Sequence, residues 1–190
     1  MKVGLYFGSF NPIHNGHLIV ASHMVNYGGV ERVWFVVSPQ NPFKDSKSLL
    51  NEHHRKFLVD LAVEGDVRFK CSNVEFRLPR PSYTINTLVH LEEEYPGHEF
   101  SVIIGSDSFQ NIKNWRNSGV LLKNYTFLIY KRPGFEIPES MLSERIYIIE
   151  APLLQISGTY IRKLIKERKS IRYLVPDVVN EQIISQQFYF

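Results

Sequence analysis

The sequence predicts an α/β protein built on a doubly wound parallel sheet. Three observations lead there. Short apolar runs recur along the chain, amphipathic helical stretches separate them, and the segments richest in chemistry each follow a run directly. Strands buried on both faces read as continuous apolar runs, and helices between them supply the crossovers that parallel pairing requires.

Val3 to Phe7 is the first buried strand, and Gly16 to Tyr27 a helix with Leu18, Ala21, His23, Met24 and Val25 along it. Gly28 and Gly29 end that helix, because glycine enters the left-handed region without steric cost. Arg32 to Val37 is the second strand. Glu52 to Val63 is a helix with Phe57, Leu58, Leu61 and Ala62 expected on its inner face. Arg68 to Val74 reads as a weaker strand. Thr84 to Tyr95 is helical, with Ile85, Leu88, Val89 and Leu91 apolar, and Pro96-Gly97 closes it. Phe100 to Ile104, Thr126 to Tyr130 and Arg145 to Ile149 complete six strands. Helices from Thr159 to Lys166 and after Pro176 finish the chain, and Pro133 to Ser143 is expected as loop.

The 190 residues suit one domain over 1–190, with no repeat or composition break to divide it. Hydrophobic residues at 44% and charged residues at 22% fit an ordinary soluble protein. No apolar run approaches the ~20 residues that span a bilayer, so no membrane role is expected. The opening residues enter strand-like sequence at once, without signal-peptide architecture. Cys71 is the single cysteine, which excludes a disulfide framework and a cysteine zinc site and points to a reducing cytoplasm. The net charge of +3 is mildly basic. Nucleic-acid readers show a basic stripe with interleaved aromatics, whereas Arg32, Lys44, Arg55, Lys131 and Arg162 are scattered. No nucleic-acid partner is expected. The denser run from Arg162 to Arg172 has the bland alternative of a solvated helix face.

In doubly wound folds ligands bind at the carboxyl ends of the strands. Gly8-Ser9-Phe10-Asn11-Pro12-Ile13-His14-Asn15-Gly16-His17 follows the first strand. It has neither the GxGxxG nor the GxxxxGK[ST] pattern. Two histidines three apart fall on one side of a helix's first turn, where free amides and the helix dipole favour an anion. The alternative is one capping histidine and one core histidine. Near the other end, Ser157 can cap the helix that carries Thr159 and Arg162, so Ile156-Ser157-Gly158-Thr159-Tyr160-Ile161-Arg162 offers a second anion-friendly helix start.

The first string resembles the HxGH signature of the nucleotidyltransferase superfamily, and the second resembles its ISSTxIR motif. The resemblance implies a Rossmann-like nucleotidyltransferase fold. Three further segments narrow it: Pro81-Ser82-Tyr83-Thr84 with Asn86-Thr87-Leu88, Gly105-Ser106-Asp107-Ser108 with Trp115 beyond it, and Arg132-Pro133-Gly134. Singly they read as a helix cap, a turn and a core tryptophan. Together they resemble the bacterial nicotinate-nucleotide adenylyltransferase family over nearly the whole chain.

That resemblance implies adenylyl transfer from ATP to nicotinate mononucleotide in NAD biosynthesis. His14, His17 and Arg162 are then the catalytic phosphate-holding residues. Lys44 and Arg55 add charge, and Gly8, Ser9, Phe10, Gly105, Ile156, Ser157 and Thr159 complete the ATP site. Asp107 meets a nucleotide ribose. Trp115 stacks on the pyridine ring, with Tyr83, Thr84 and Arg132 beside it. Mg²⁺ is expected to arrive with ATP, held by phosphates, since no carboxylate cluster looks like a metal cage. A homo-oligomer is plausible from the family alone.

The string departs from the family in places. Phe7 stands for a glycine, Asn11 for the aspartate of GGTFDP, Phe43 for a histidine before Lys44, and Gly158 for a serine. The resulting GSFNP is similar to eukaryotic nicotinamide-mononucleotide enzymes, which keeps that substrate as the alternative. Phosphopantetheine adenylyltransferases carry TxGH and lack the Tyr83 and Trp115 segments. A tRNA synthetase is excluded by length and by the missing KMSKS-type loop. A non-catalytic nucleotide sensor would not require both phosphate motifs intact.

Overall fold

The computed structural model describes residues 1–39, 49–152 and 154–190. Six parallel strands form one sheet: β1 (Lys2–Gly8), β2 (Arg32–Val37), β3 (Phe69–Ser72), β4 (Glu99–Gly105), β5 (Thr126–Tyr130) and β6 (Ile146–Ile149). Their order across the sheet is β3-β2-β1-β4-β5-β6, and every pairing is parallel. The direction of winding reverses between β1 and β4. Connections leave those two strands towards opposite sides, so a crevice opens at their carboxyl ends.

The helices are α1 (Asn15–Tyr27), α2 (Glu52–Val63), α3 (Thr84–Glu94), α4 (Ser106–Phe109), α5 (Ser118–Asn124), α6 (Gly158–Lys166) and α7 (Asp177–Ser185). Side chains alternate across each strand with a period of two, which divides the core. On β2, Val33, Phe35 and Val37 face the layer of α1, α2, α6 and α7, while Trp34 and Val36 face α3, α4 and α5. Both faces of the sheet are therefore covered, as the unbroken apolar strands require.

The helix faces differ from expectation in two places. On α2 the buried residues are Arg55, Leu58, Val59 and Val63, and Phe57 is 42% exposed. At 100° per residue, a stripe centred on Leu58 and Val59 turns Phe57 outward. On α3 the same geometry buries Ile85, Thr87, Leu88 and Leu91 and leaves Val89 exposed. The expected strand from Arg68 stops at Ser72, and Val74–Arg77 forms a 3-10 turn instead. The expected loop after Pro133 contains a short 3-10 turn, Glu139–Met141.

Candidate active site

The turn after β1 is shaped by a buried ring. Phe10 adopts a φ of 43°, in the left-handed region that a bulky residue rarely enters. Its side chain is 2% exposed and packs edge-on against Tyr6, Phe35 and His17. Burying such a ring contributes about 2–3 kcal/mol, which offsets backbone strain of roughly 1–3 kcal/mol. The ring also explains Gly8, where a Cβ would sit 2.8 Å from the edge of Phe10.

The chain then enters α1 with His14 as its N-cap residue. His14 and His17 stack with ring centroids 3.6 Å apart, and the His14 backbone N–H donates to His17 Nδ1. That bond leaves the proton of a neutral His17 on Nε2. Burial lowers the His14 pKa to about 4, with the Arg132 charge as the second cause. Its Nδ1 is buried without a hydrogen-bond partner. His14 is thus a neutral imidazole at physiological pH.

The start of α6 closes on this turn. Ser157 accepts from the Tyr160 backbone N–H and caps the helix. Arg162 donates to the Asn11 carbonyl at 2.7 Å and reaches the Thr159 hydroxyl at 3.3 Å. The Asn11 side chain in turn accepts from Leu50 N–H. At Gly158, a Cβ would lie 2.6 Å from the Asn11 carbonyl oxygen. Glycine in place of the usual serine is what allows α6 to approach the β1 turn so closely.

Arg55 requires a correction. It was expected to supply charge to ATP, but it is 0% exposed and does not line the cleft. Its guanidinium donates to the backbone carbonyls of Leu50, Ser9, Ser38 and Pro39. An α2 residue that points inward here ties together the ends of β1 and β2. Lys44, with Phe43 before it, lies outside the described residues.

At the carboxyl ends of β4 and β5, Gly105 precedes α4 and Asp107 sits in its first turn. Arg132 is anchored here by three contacts. Its Nε lies 3.4 Å from Asp107 Oδ1, its Nη2 donates to the Tyr130 hydroxyl, and its backbone N–H donates to Ser106 Oγ. Tyr6 donates to Tyr130 across the cleft floor. Burial first, and then Tyr130, push the Tyr6 phenol well above its ordinary range, so it stays protonated.

The remaining wall is the start of α3. Tyr83 is the N-cap residue and makes no side-chain cap, so the amides at this end precede the first helical hydrogen bond. Behind it, the buried Glu75 carboxylate accepts from Ser82 Oγ at 2.7 Å and Thr87 Oγ1 at 3.0 Å. Burial raises the Glu75 pKa, and the hydroxyls of Ser82, Thr87 and Ser38 oppose that shift. Trp115, half-buried, packs on the same core face as Tyr83. Arg116 lies over the Tyr83 ring at 4.8 Å.

All of these walls line one cleft of about 740 Å³ at the β1/β4 crevice. Apart from Arg55 and Lys44, every residue expected at the site lines it, from Gly8, Ser9 and Phe10 to Ile156, Ser157, Thr159 and Arg162. Sequence reasoning missed Tyr6, Tyr130, Asn11, Glu75 and Arg116. Arg116 alone had a local signal, as the neighbour of Trp115. Among the described residues, no group of three metal-ligating side chains forms.

The cytidylyltransferase-like family model matches residues 5–164. The chain is 47% identical to a protein named as a probable nicotinate-nucleotide adenylyltransferase of Cytophaga hutchinsonii, over 100% of this chain and 98% of that one. A protein of the same name from Flavobacterium johnsoniae is 46% identical over 100% and 99%. Among solved structures, Plasmodium falciparum nicotinic acid mononucleotide adenylyltransferase complexed with NaAD is similar with a TM-score of 0.82. That match covers 99% of this chain and 97% of the other, and its 23% identity shows the shared fold alone.

Proposed function

The chain belongs to the nicotinate-nucleotide adenylyltransferase family, and we infer that it transfers the adenylyl group of ATP to nicotinate mononucleotide in NAD biosynthesis. One observation carries this reading: the starts of α1, α3 and α6 converge on a single cleft. Two of them offer cations or imidazoles for phosphates, and the third offers free amides beside aromatic rings.

In this reading the 5′-phosphate of the mononucleotide, already ionised, attacks the α-phosphorus of ATP. A new phosphorus–oxygen bond forms as the bond to the bridging oxygen breaks, and pyrophosphate leaves in line. No general base is needed. Catalysis consists of positioning together with neutralisation of the charge that develops on the phosphate oxygens. His17 donates from Nε2, His14 from a neutral imidazole, and Arg162 holds the phosphates while bridged to Asn11. The β1 turn and the Ile156 to Thr159 segment wrap the triphosphate. Asp107, next to Gly105, takes a ribose, and Arg132 is held beside it.

Tyr83 and Thr84 meet the pyridine substituent, and Trp115 stacks on the ring. Magnesium enters as part of the MgATP substrate, carried on phosphate oxygens. Residues 1–190 act as one domain. Cys71 carries a free thiol, and no helix among the described residues is long and apolar enough to cross a membrane. The unpaired thiol supports a cytoplasmic enzyme working on small molecules. Pyrophosphate release on mixing the protein with MgATP and each mononucleotide tests the reading. Release with nicotinate mononucleotide supports it, and no release with either mononucleotide refutes it.

A further inference from the structure

Three arginines line the cleft, and two of them have partners. Arg132 is paired with Asp107 and Tyr130, and Arg162 is bonded to Asn11 and Thr159. Arg116 differs. Among the described residues its guanidinium contacts no carboxylate and makes no hydrogen bond, and its interaction is with the face of the Tyr83 ring. The backbone places it there: the Ser118 N–H bonds back to the Trp115 carbonyl, and Asn117 takes a φ of 55°, so a tight turn presents Arg116 beside Trp115. The Tyr83 ring meets the guanidinium at 4.8 Å, and among the described residues none of its N–H groups is taken up by a hydrogen bond. A guanidinium with its N–H fork uncommitted is matched to a planar, two-oxygen anion.

The local charge gives that fork a purpose. Glu75 places a carboxylate behind the same segment through Ser82 and Thr87. That carboxylate is itself occupied by the two hydroxyls, so Arg116 is the cation beside Tyr83 that an incoming anion would meet. We propose that Arg116 is a specificity-determining residue, whose guanidinium pairs with the ring carboxylate that separates nicotinate from nicotinamide mononucleotide. The assignment rests on the proposed substrate and deepens it. It adds a charged side chain to the amides of the α3 start, and a charged donor discriminates acid from amide more sharply than neutral donors do.

Calorimetric binding of each mononucleotide to the wild-type protein and to Arg116→Gln and Arg116→Lys tests this without relying on turnover. Arg116 is exposed, so the fold should survive, and thermal unfolding should confirm it. Losing one charge-assisted pair at an exposed position corresponds to a loss of about tenfold in affinity. Arg116→Gln should therefore weaken nicotinate mononucleotide about tenfold and nicotinamide mononucleotide less than about twofold, on the same scale. Arg116→Lys should fall between wild type and glutamine for the acid. Equal weakening of both ligands would place the contact at their shared phosphate and overturn the proposal. No weakening of either, or a wild type that binds the two alike, would also overturn it. Wild-type protein that binds the acid tightly yet releases no pyrophosphate with MgATP would refute adenylyl transfer and leave Arg116 standing.

Discussion

Lowering the pH should expose the cost of keeping His14 neutral. The side chain is 6% exposed, and burial together with Arg132 moves its pKa from 6.5 to about 4. Between those values the unfolded chain holds a proton that the folded protein does not, so stability falls as pH falls through that window. Treating His14 as a single site, the loss reaches about 2 kcal/mol at pH 5 and about 3 kcal/mol at pH 4, relative to pH 7. The assay is urea unfolding of wild type and His14→Asn at intervals from pH 4 to pH 7. Carboxylates and the other histidines titrate in both proteins, so the difference between the two curves isolates His14. That difference should favour wild type least at the acid end. Saturating ATP should flatten it, because phosphates beside the ring favour the imidazolium. A difference that stays constant across the window would mean that His14 titrates equally in the folded and unfolded states and is not held neutral by burial.

Arg55→Lys should cost about 3 kcal/mol in stability, because one ammonium cannot serve carbonyls drawn from three segments and leaves buried acceptors unpaired. A variant that keeps its urea midpoint and raises only the KM for ATP would show Arg55 to be a phosphate ligand after all. Arg162→Lys should lower kcat/KM for ATP at least ~10-fold, because lysine cannot hold Asn11 and a phosphate with one planar fork. Steady-state kinetics indistinguishable from wild type would mean that α6 presents only a solvated basic face. His17→Ala should lose at least ~100-fold in rate while still folding, with only the modest drop in thermal stability expected from losing its bond to the His14 backbone N–H, and a folded variant of near-normal rate would contradict the role given to Nε2–H.

What could be read from the sequence was local, and what could not was convergent. Two histidines three apart at a helix start place both rings by backbone geometry alone, and the stacked pair at 3.6 Å follows from that spacing. Ser157 as a cap is equally local. Arg55 is the opposite case. Its role depends on Ser9, Ser38, Pro39 and Leu50 turning their carbonyls to one point, and no local pattern distinguishes that arginine from an exposed one. Glu75 lies just beyond a strand that was expected to run on to Val74, and its partners Ser82 and Thr87 become visible only once α3 is placed. The seven-residue α5 was missed because two turns give the helical period too little length to register. Asn11 was noted as a departure, yet its bonds to Leu50 and Arg162 join segments 39 and 151 positions apart in the chain.

Competition between the two mononucleotides reads the acid-versus-amide preference of the site in a single reaction. Equal concentrations of nicotinate and nicotinamide mononucleotide, with limiting MgATP and wild-type protein, give a product ratio equal to the ratio of their kcat/KM values. In the proposed site the α3 amides and the Thr84 hydroxyl would donate to a carboxylate, whereas an amide would turn an NH₂ group towards donors it cannot satisfy. One buried mismatch of that kind costs about 1–3 kcal/mol, or roughly 5- to 150-fold in selectivity. Nicotinate adenine dinucleotide should form in excess within that range. An excess of the amide dinucleotide, or no dinucleotide at all, would contradict adenylyl transfer to nicotinate mononucleotide.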